Sequence, residues 1–390
     1  MTLPGAFPPA VDLAPALSLL GWAAGLALLP LAVWWWRHRR AGAATRRAAL
    51  TALTLFLTFD LVVFGAFTRL TDSGLGCPDW PGCYGEAHPV AATAAIAAAE
   101  AAQPTGPVTE RKAWIEMVHR YLAMAVGALI LVSLGLAWAA RRELPFSWAW
   151  PWATLGWVVV QGLFGKYTVT LKLYPAIVTL HLAGGLVLLA LLAVQVERYR
   201  AQVGGPVLRA DAALRRWLAA GLAVLSVQVL LGAWVSTNYA VLACQGFPQC
   251  NGQWWPAAMD AGQGFTVLRH LGRAGEGGFL PAEALVAIHW VHRLFALVAV
   301  AVLLGLAARL WRLPDGRRPA ATLITLLAAQ VATGAANVVL QWPLVAALMH
   351  TAGAAALVLL LVSLQVRASS ARRLPDGPVA AAPRAAAALH

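Results

Sequence analysis

Apolar residues in this chain of 390 do not alternate with polar ones. They come in runs of about 20, the length at which a helix rising 1.5 Å per residue crosses the ~30 Å hydrocarbon layer of a bilayer. Nine runs stand out, at residues 17–36, 48–70, 114–140, 147–167, 176–196, 217–237, 285–310, 320–340 and 345–366. The pattern predicts an all-α integral membrane protein with an eight-helix body and one extra N-terminal transmembrane helix. Two long polar connections, 71–113 and 238–284, interrupt the body at corresponding places.

The correspondence extends to individual residues. Gly65 and Ala66 match Gly232 and Ala233 at an offset of 167, and Cys77 and Cys83 match Cys244 and Cys250 at the same offset. The block Ile115 to Arg120 aligns with Ile288 to Arg293 at 173, and Gln161, His181 and Gly184 align with Gln330, His350 and Gly353 at 169. The register changes only in connections, so the body reads as two pseudo-symmetric four-helix bundles. Four is even, so both enter from the same side, as parallel repeats about an axis along the membrane normal. The predicted organisation is 1–47, the extra helix and a basic loop; 48–197, the N-terminal half; 198–216, a basic linker; 217–366, the C-terminal half; and 367–390, a disordered tail. Residues 1–16 carry no Lys or Arg, so the first helix is expected to be retained and not cleaved as a signal peptide. The Ala-rich stretch 88–102 reads either as an interfacial helix or as a passive linker.

Composition agrees with the membrane setting: 60% of residues are hydrophobic and 12% charged, too little polar surface for a soluble globule. The net charge of +13 would suggest nucleic acid in a soluble protein, but its placement argues otherwise. Twenty of the 29 Lys and Arg fall in five clusters, at 37–47, 141–142, 198–216, 309–318 and 367–384, which occupy alternate connections. By the positive-inside rule these face the cytoplasm of a bacterial inner membrane, with the C-terminus, and the cysteine loops face the periplasm.

Within the apolar runs, His119, His181, His292 and His350 recur at matching places, each five to seven residues inside its helix, or roughly 8–11 Å deep. An imidazole in hydrocarbon is costly unless it binds something. Two per bundle, on the second and fourth helices, can face each other as the axial ligands of a haem do. Zinc would want four clustered Cys or His ligands, and the cysteines lie in the aqueous loops. Copper would favour methionine-rich runs, and the five methionines form none.

The halves differ beside these histidines. Glu116 shares a helix face with His119, whereas the equivalent position is His289. A carboxylate there can act as proton acceptor or transition-state stabiliser, or simply as a first-turn residue favoured by the helix dipole. Arg120 and Arg293 each follow a candidate ligand and need a partner at that depth: haem propionates or lipid headgroups. Cys77 with Cys83 and Cys244 with Cys250 suit one disulfide per loop in an oxidising compartment. Each pair reads as a loop staple or as a redox-active pair exchanging with a thiol carrier, and spacing does not separate the two.

These residues resemble the haem A synthase family. The resemblance rests on TRLTDSGLGCPDWPGC (68–83), the ExxH from Glu116 to His119, HLAGG from His181, HWVHR from His289 to Arg293 and MHTAG from Met349. It covers residues 48–366 and implies an oxidoreductase that converts the C8 methyl group of haem O to a formyl group by successive hydroxylations and loss of water from the geminal diol. It further implies haem b held by His292 and His350, haem O as substrate between His119 and His181, and functional roles for Glu116, Cys77 and Cys83. Implied partners are a haem O synthase (prenyl-transferase) and an electron acceptor, either quinone or a thiol–disulfide carrier, in addition to membrane lipid. The family's simpler members lack the extra helix. Two other classes fit the histidines. A quinol-linked di-haem b electron carrier would not need Glu116 to differ from His289, and a haem transporter would show broken helices at the midplane.

Overall fold

In the computed structural model, which describes residues 14–275 and 278–370, the apolar runs fold as helices. In order these are α1 (Ala14–His38), α2 (Ala43–Leu70), α3 (Thr93–Ala102), α4 (Glu110–Ala139), α5 (Ala149–Thr170), α6 (Pro175–Gln202), α7 (Ala212–Thr237), the single turn α8 (Ala261–Gly264), α9 (Ala282–Trp311), α10 (Arg317–Val339) and α11 (Leu344–Ser370). Among the described residues there is no β-strand, only three isolated bridges. Among the described residues, eight helices are long and apolar enough to cross a membrane. The ninth predicted span, α5, has 22 residues but is diluted by Trp150, Trp152, Trp157, Gln161 and Lys166. Its place in the packing is nonetheless that of α10 in the other half.

That packing is the same in both halves. Helix α2 packs on α4, α4 on α5, α5 on α6 and α6 back on α2; α7, α9, α10 and α11 close an identical ring. The rings meet through α6 against α11, α2 against α11 and α6 against α7. A leucine-rich core fills the seam, with Leu189, Leu218, Leu303, Leu306 and Leu361 almost wholly buried. At the cysteine-loop end, residues related by the repeat touch one another. Arg69 Nη2 donates to Ser236 O at 2.7 Å, and the Tyr239 hydroxyl donates to Asp72 Oδ1 at 3.0 Å, both across the 167-residue offset. Contact between equivalent positions is what a two-fold relation produces. Asp72 and Tyr239 also share a left-handed backbone, at φ 51° and 55°.

Helix ends depart from the predicted boundaries. Helices α6 and α11 run on to Gln202 and Ser370, because backbone hydrogen bonding continues where the apolar run stops. Arg367, predicted to begin the tail, lies inside α11. Its Nε and Nη2 each donate at 2.8 Å to the carboxylate of Glu197 on α6, a side chain with 3% of its surface exposed. The fork ties the halves together at the basic end. The predicted disordered tail otherwise falls on residues 371–390, outside those described.

The extra helix α1 packs on α4 and α2. Its Leu19 is buried in one cluster with Cys77, Cys83, Ile96 and Met117, and Trp22 stacks on Tyr121 at 6.1 Å. The Ala-rich stretch forms α3 and buries Ile96 in the same cluster, so it is a packed lid on the first disulfide loop and not a passive linker.

Candidate functional site

All four histidines sit on the second and fourth helices of their rings: His119 on α4, His181 on α6, His292 on α9 and His350 on α11. Within each ring these two helices are diagonal and do not pack directly on each other. The imidazoles of His119 and His181 are nevertheless close enough to interact electrostatically, as are those of His292 and His350. Each ring rests on a glycine of the preceding helix. A methyl group added to Gly65 would lie 3.0 Å from His119 Cε1; to Gly165, 3.6 Å from His181; to Gly232, 3.0 Å from His292; to Gly334, 3.2 Å from His350. Gly65 and Gly232 match at the offset of 167, and Gly165 and Gly334 at 169, both offsets of the internal repeat, so each half carries the same cradle twice.

The nitrogens opposite are treated differently. In the C-terminal half, Thr333 Oγ1 lies 3.1 Å from His350 Nδ1, and the amide of Gln228 lies 3.1 Å from His292 Nδ1. In the N-terminal half, His119 Nδ1 and His181 Nδ1 are buried with no hydrogen-bond partner among the described residues. Among those residues no three His, Cys, Asp or Glu cluster as a metal site, so each pair of imidazoles stands alone. A glycine-backed pair across a bundle interior fits a planar iron porphyrin gripped from two sides better than it fits a bare ion.

Both disulfides are formed, Cys77–Cys83 and Cys244–Cys250, and all four cysteines are fully buried. Each loop closes on itself through a bridge, Cys83 with Glu86 and Cys250 with Gln253. The arginines predicted to seek propionates or headgroups find their partners here. Arg120 Nη1 donates to Asp79 O (2.9 Å), Pro81 O (3.1 Å) and Gly82 O (2.5 Å). Arg293 donates to Gly246 O and Gln249 O (3.0 Å each) and Cys244 O (2.5 Å). A tight six-residue return turns several carbonyls inward, and a guanidinium with five donors satisfies them together. Any contact with a propionate would be additional to this clamp.

Glu116 and His289 are where the clamps differ. Arg120 Nη2 donates to Glu116 Oε1, and the amide of Cys77 donates to Glu116 Oε2 at 2.9 Å. Glu116 is 4% exposed. One carboxylate therefore ties the first disulfide to the helix that carries His119, three residues away. In the second half Arg293 Nε donates to His289 Nε2 at 3.2 Å, a neutral partner.

Sequence reasoning missed Gln228 and Thr333. The signal lay in the repeat: the positions equivalent to them are Leu61 and Phe164, so two apolar sites have become polar in one half only.

Comparison with known proteins agrees with the motif-based resemblance. The family model for cytochrome oxidase assembly proteins, COX15-CtaA, matches residues 48–362. The chain is 36% identical over 323 residues to a protein of Shewanella oneidensis named heme A synthase, covering 81% of this chain and 94% of that one. Proteins of the same name from Caulobacter vibrioides (30% over 337 residues; 80% and 94% covered) and Symbiobacterium thermophilum (30% over 328 residues; 78% and 90%) are also similar.

Proposed function

The chain belongs to the COX15-CtaA family of cytochrome oxidase assembly proteins, and from that premise we propose that it is a haem A synthase, a multi-pass membrane enzyme that acts on haem O. The observation that carries the reading is the doubled pair of glycine-backed imidazoles, alike in both halves except for the carboxylate beside one.

In this reading His292 and His350 hold haem b, which supplies one-electron redox chemistry when bound. His119 and His181 would hold haem O as substrate, orienting the ring so that its C8 methyl is the group oxidised. Two hydroxylations that take oxygen from water and give up electrons and protons form a geminal diol, which loses water to leave the formyl group. The electrons leave to an acceptor such as quinone or a thiol–disulfide carrier. Glu116 takes up or returns a proton at its carboxylate, which Arg120 and the Cys77 amide hold in place. The first disulfide, joined to Glu116 through that amide, either fixes the carboxylate or exchanges with a thiol carrier. Helices α1 and α3 cover this loop and limit access of water. By the positive-inside rule, the basic clusters on the opposite connections support periplasmic cysteine loops and a cytoplasmic C-terminus. A haem O synthase is the partner that would deliver substrate.

The test is pigment analysis in a host that makes haem O. Haem A is expected only when the chain is present, and Glu116→Ala is expected to abolish it while bound haem b remains. Unchanged pigments with and without the chain would overturn the proposal.

A further inference from the structure

The two halves hold their histidines with unequal firmness. Thr333 Oγ1 donates its own proton to Ala329 O at 2.7 Å, so toward His350 Nδ1, 3.1 Å away, it can only accept. Its neighbour must then be an Nδ1–H, which leaves the lone pair on Nε2. Gln228 meets His292 by a different contact: its Nε2 lies 3.1 Å from His292 Nδ1 and donates to His292 O at 3.3 Å, so the amide holds both the ring and the backbone of α9. Metal-binding histidines are characteristically held as His350 is, the second nitrogen donating to a fixed acceptor that sets ring orientation and tautomer.

At the equivalent positions the N-terminal half has Leu61 and Phe164, neither of which can accept a hydrogen bond. The glycine cradles are preserved there and the anchors are not.

We propose that Gln228 and Thr333 are positioning residues that make the C-terminal half a site of retention, and that Leu61 and Phe164 keep the N-terminal half a site of exchange. Resting on the reading above, this gives a physical reason why one porphyrin stays as cofactor while the other arrives as haem O and leaves as haem A. Imidazoles without a polar anchor on the second nitrogen bind and release a porphyrin more readily than rings that have one.

The experiment uses the purified full-length holoprotein. Transfer of haem b to excess apomyoglobin is timed by absorbance, and the haem b reduction potential is titrated. Gln228→Leu and Thr333→Val are each expected to release haem b about tenfold or more faster, in line with the ~10–100-fold effect of removing such partners on metal affinity. In Thr333→Val the potential is expected to rise, because an imidazole that loses its acceptor is a poorer donor to oxidised iron. Thr333→Ser, which keeps the hydroxyl, is expected to behave as wild type. The converse variant, Leu61→Gln with Phe164→Thr, is expected to retain through gel filtration a second pigment that His119→Ala removes. It decides the matter should either loss variant fail to accumulate. Unchanged release and potential in both loss variants, or no second pigment in the converse variant, would overturn the inference. His292→Ala separates this from the underlying reading: if that variant kept haem b, the assignment of cofactor to the C-terminal half would itself fail.

Discussion

Replacing Arg120 or Arg293 with alanine removes clamps of the same geometry with different consequences. Each loses a guanidinium that satisfies three carbonyls of its disulfide loop. Those carbonyls lie near the polar end of the bundle, and losing the bonds should cost about 1–3 kcal/mol in either half. Arg120→Ala also strands Glu116, whose side chain is 5% exposed, and breaking a buried ion pair from one side costs about 3–5 kcal/mol. Arg293→Ala strands only His289, which can be neutral. Arg120→Ala is therefore expected to be the worse by roughly 3 kcal/mol, or about 6–12 °C in melting midpoint at ~2–4 °C per kcal/mol. The assay is the midpoint of soluble monodisperse protein after heating in detergent. The sharper part concerns the double variant: Glu116→Gln with Arg120→Ala should be more stable than Arg120→Ala alone, since it removes the stranded charge and keeps an acceptor for the Cys77 amide. Equal midpoints for the two single variants, or a double variant less stable than Arg120→Ala, would refute the argument.

Gly76→Ala is expected to expose the first disulfide selectively. A methyl there would sit 2.4 Å from the carbonyl carbon of Lys112, backbone that cannot yield, so the loop must lift from α4. Reduction of Cys77–Cys83 by a soluble phosphine should accelerate several-fold, with Cys244–Cys250 unchanged, and equal rates for the two would count against it. At the basic end, Arg367→Ala should destabilise by about 3–5 kcal/mol by leaving Glu197 buried with only the weaker Arg200 contact. Glu197→Gln should cost less, about 1–3 kcal/mol, because Arg367 is a quarter exposed and can reach water; thermal midpoints in the opposite order would contradict this. Burial pushes the Tyr239 phenol above its ordinary value of 10.0, Asp72 adding to the shift and Arg69 opposing it. The neutral form is favoured in the fold, so its contribution is complete below about pH 10 and lost as pH rises through the raised value. Tyr239→Phe should remove that alkaline component from a plot of melting midpoint against pH, and an unchanged profile would exclude the role.

Much of this architecture was legible in the sequence, because a bilayer imposes length and apolarity on every spanning helix and the repeat supplied an internal check. The runs at 48–70 and 217–237 end where α2 and α7 end. The matched histidines lie on the second and fourth helices of each ring, where the alignment placed them. Partnerships between distant residues escaped, since periodicity reports which way a residue faces and not what meets it. Arg120 and Arg293 were recognised as needing partners, but loop carbonyls in a tight turn leave no mark in composition. Glu197 lies one residue past the predicted span 176–196 and Arg367 one past 345–366, so nothing paired them until α6 and α11 proved to run past both. Thr333 and Gln228 were invisible within their own helices and stand out only when each half is laid over the other.

The contacts at the seam bear on how such a chain can change over time. Two copies of the N-terminal half joined by the same operation would set Arg69 against Arg69 and Asp72 against Asp72, like charges facing in place of Ser236 and Tyr239. Two copies of the C-terminal half would bring together two tyrosines with no carboxylate to receive their hydroxyls. Each half has become complementary to its sister and unfit to meet itself, so loss of either segment would leave the remaining one without a mate.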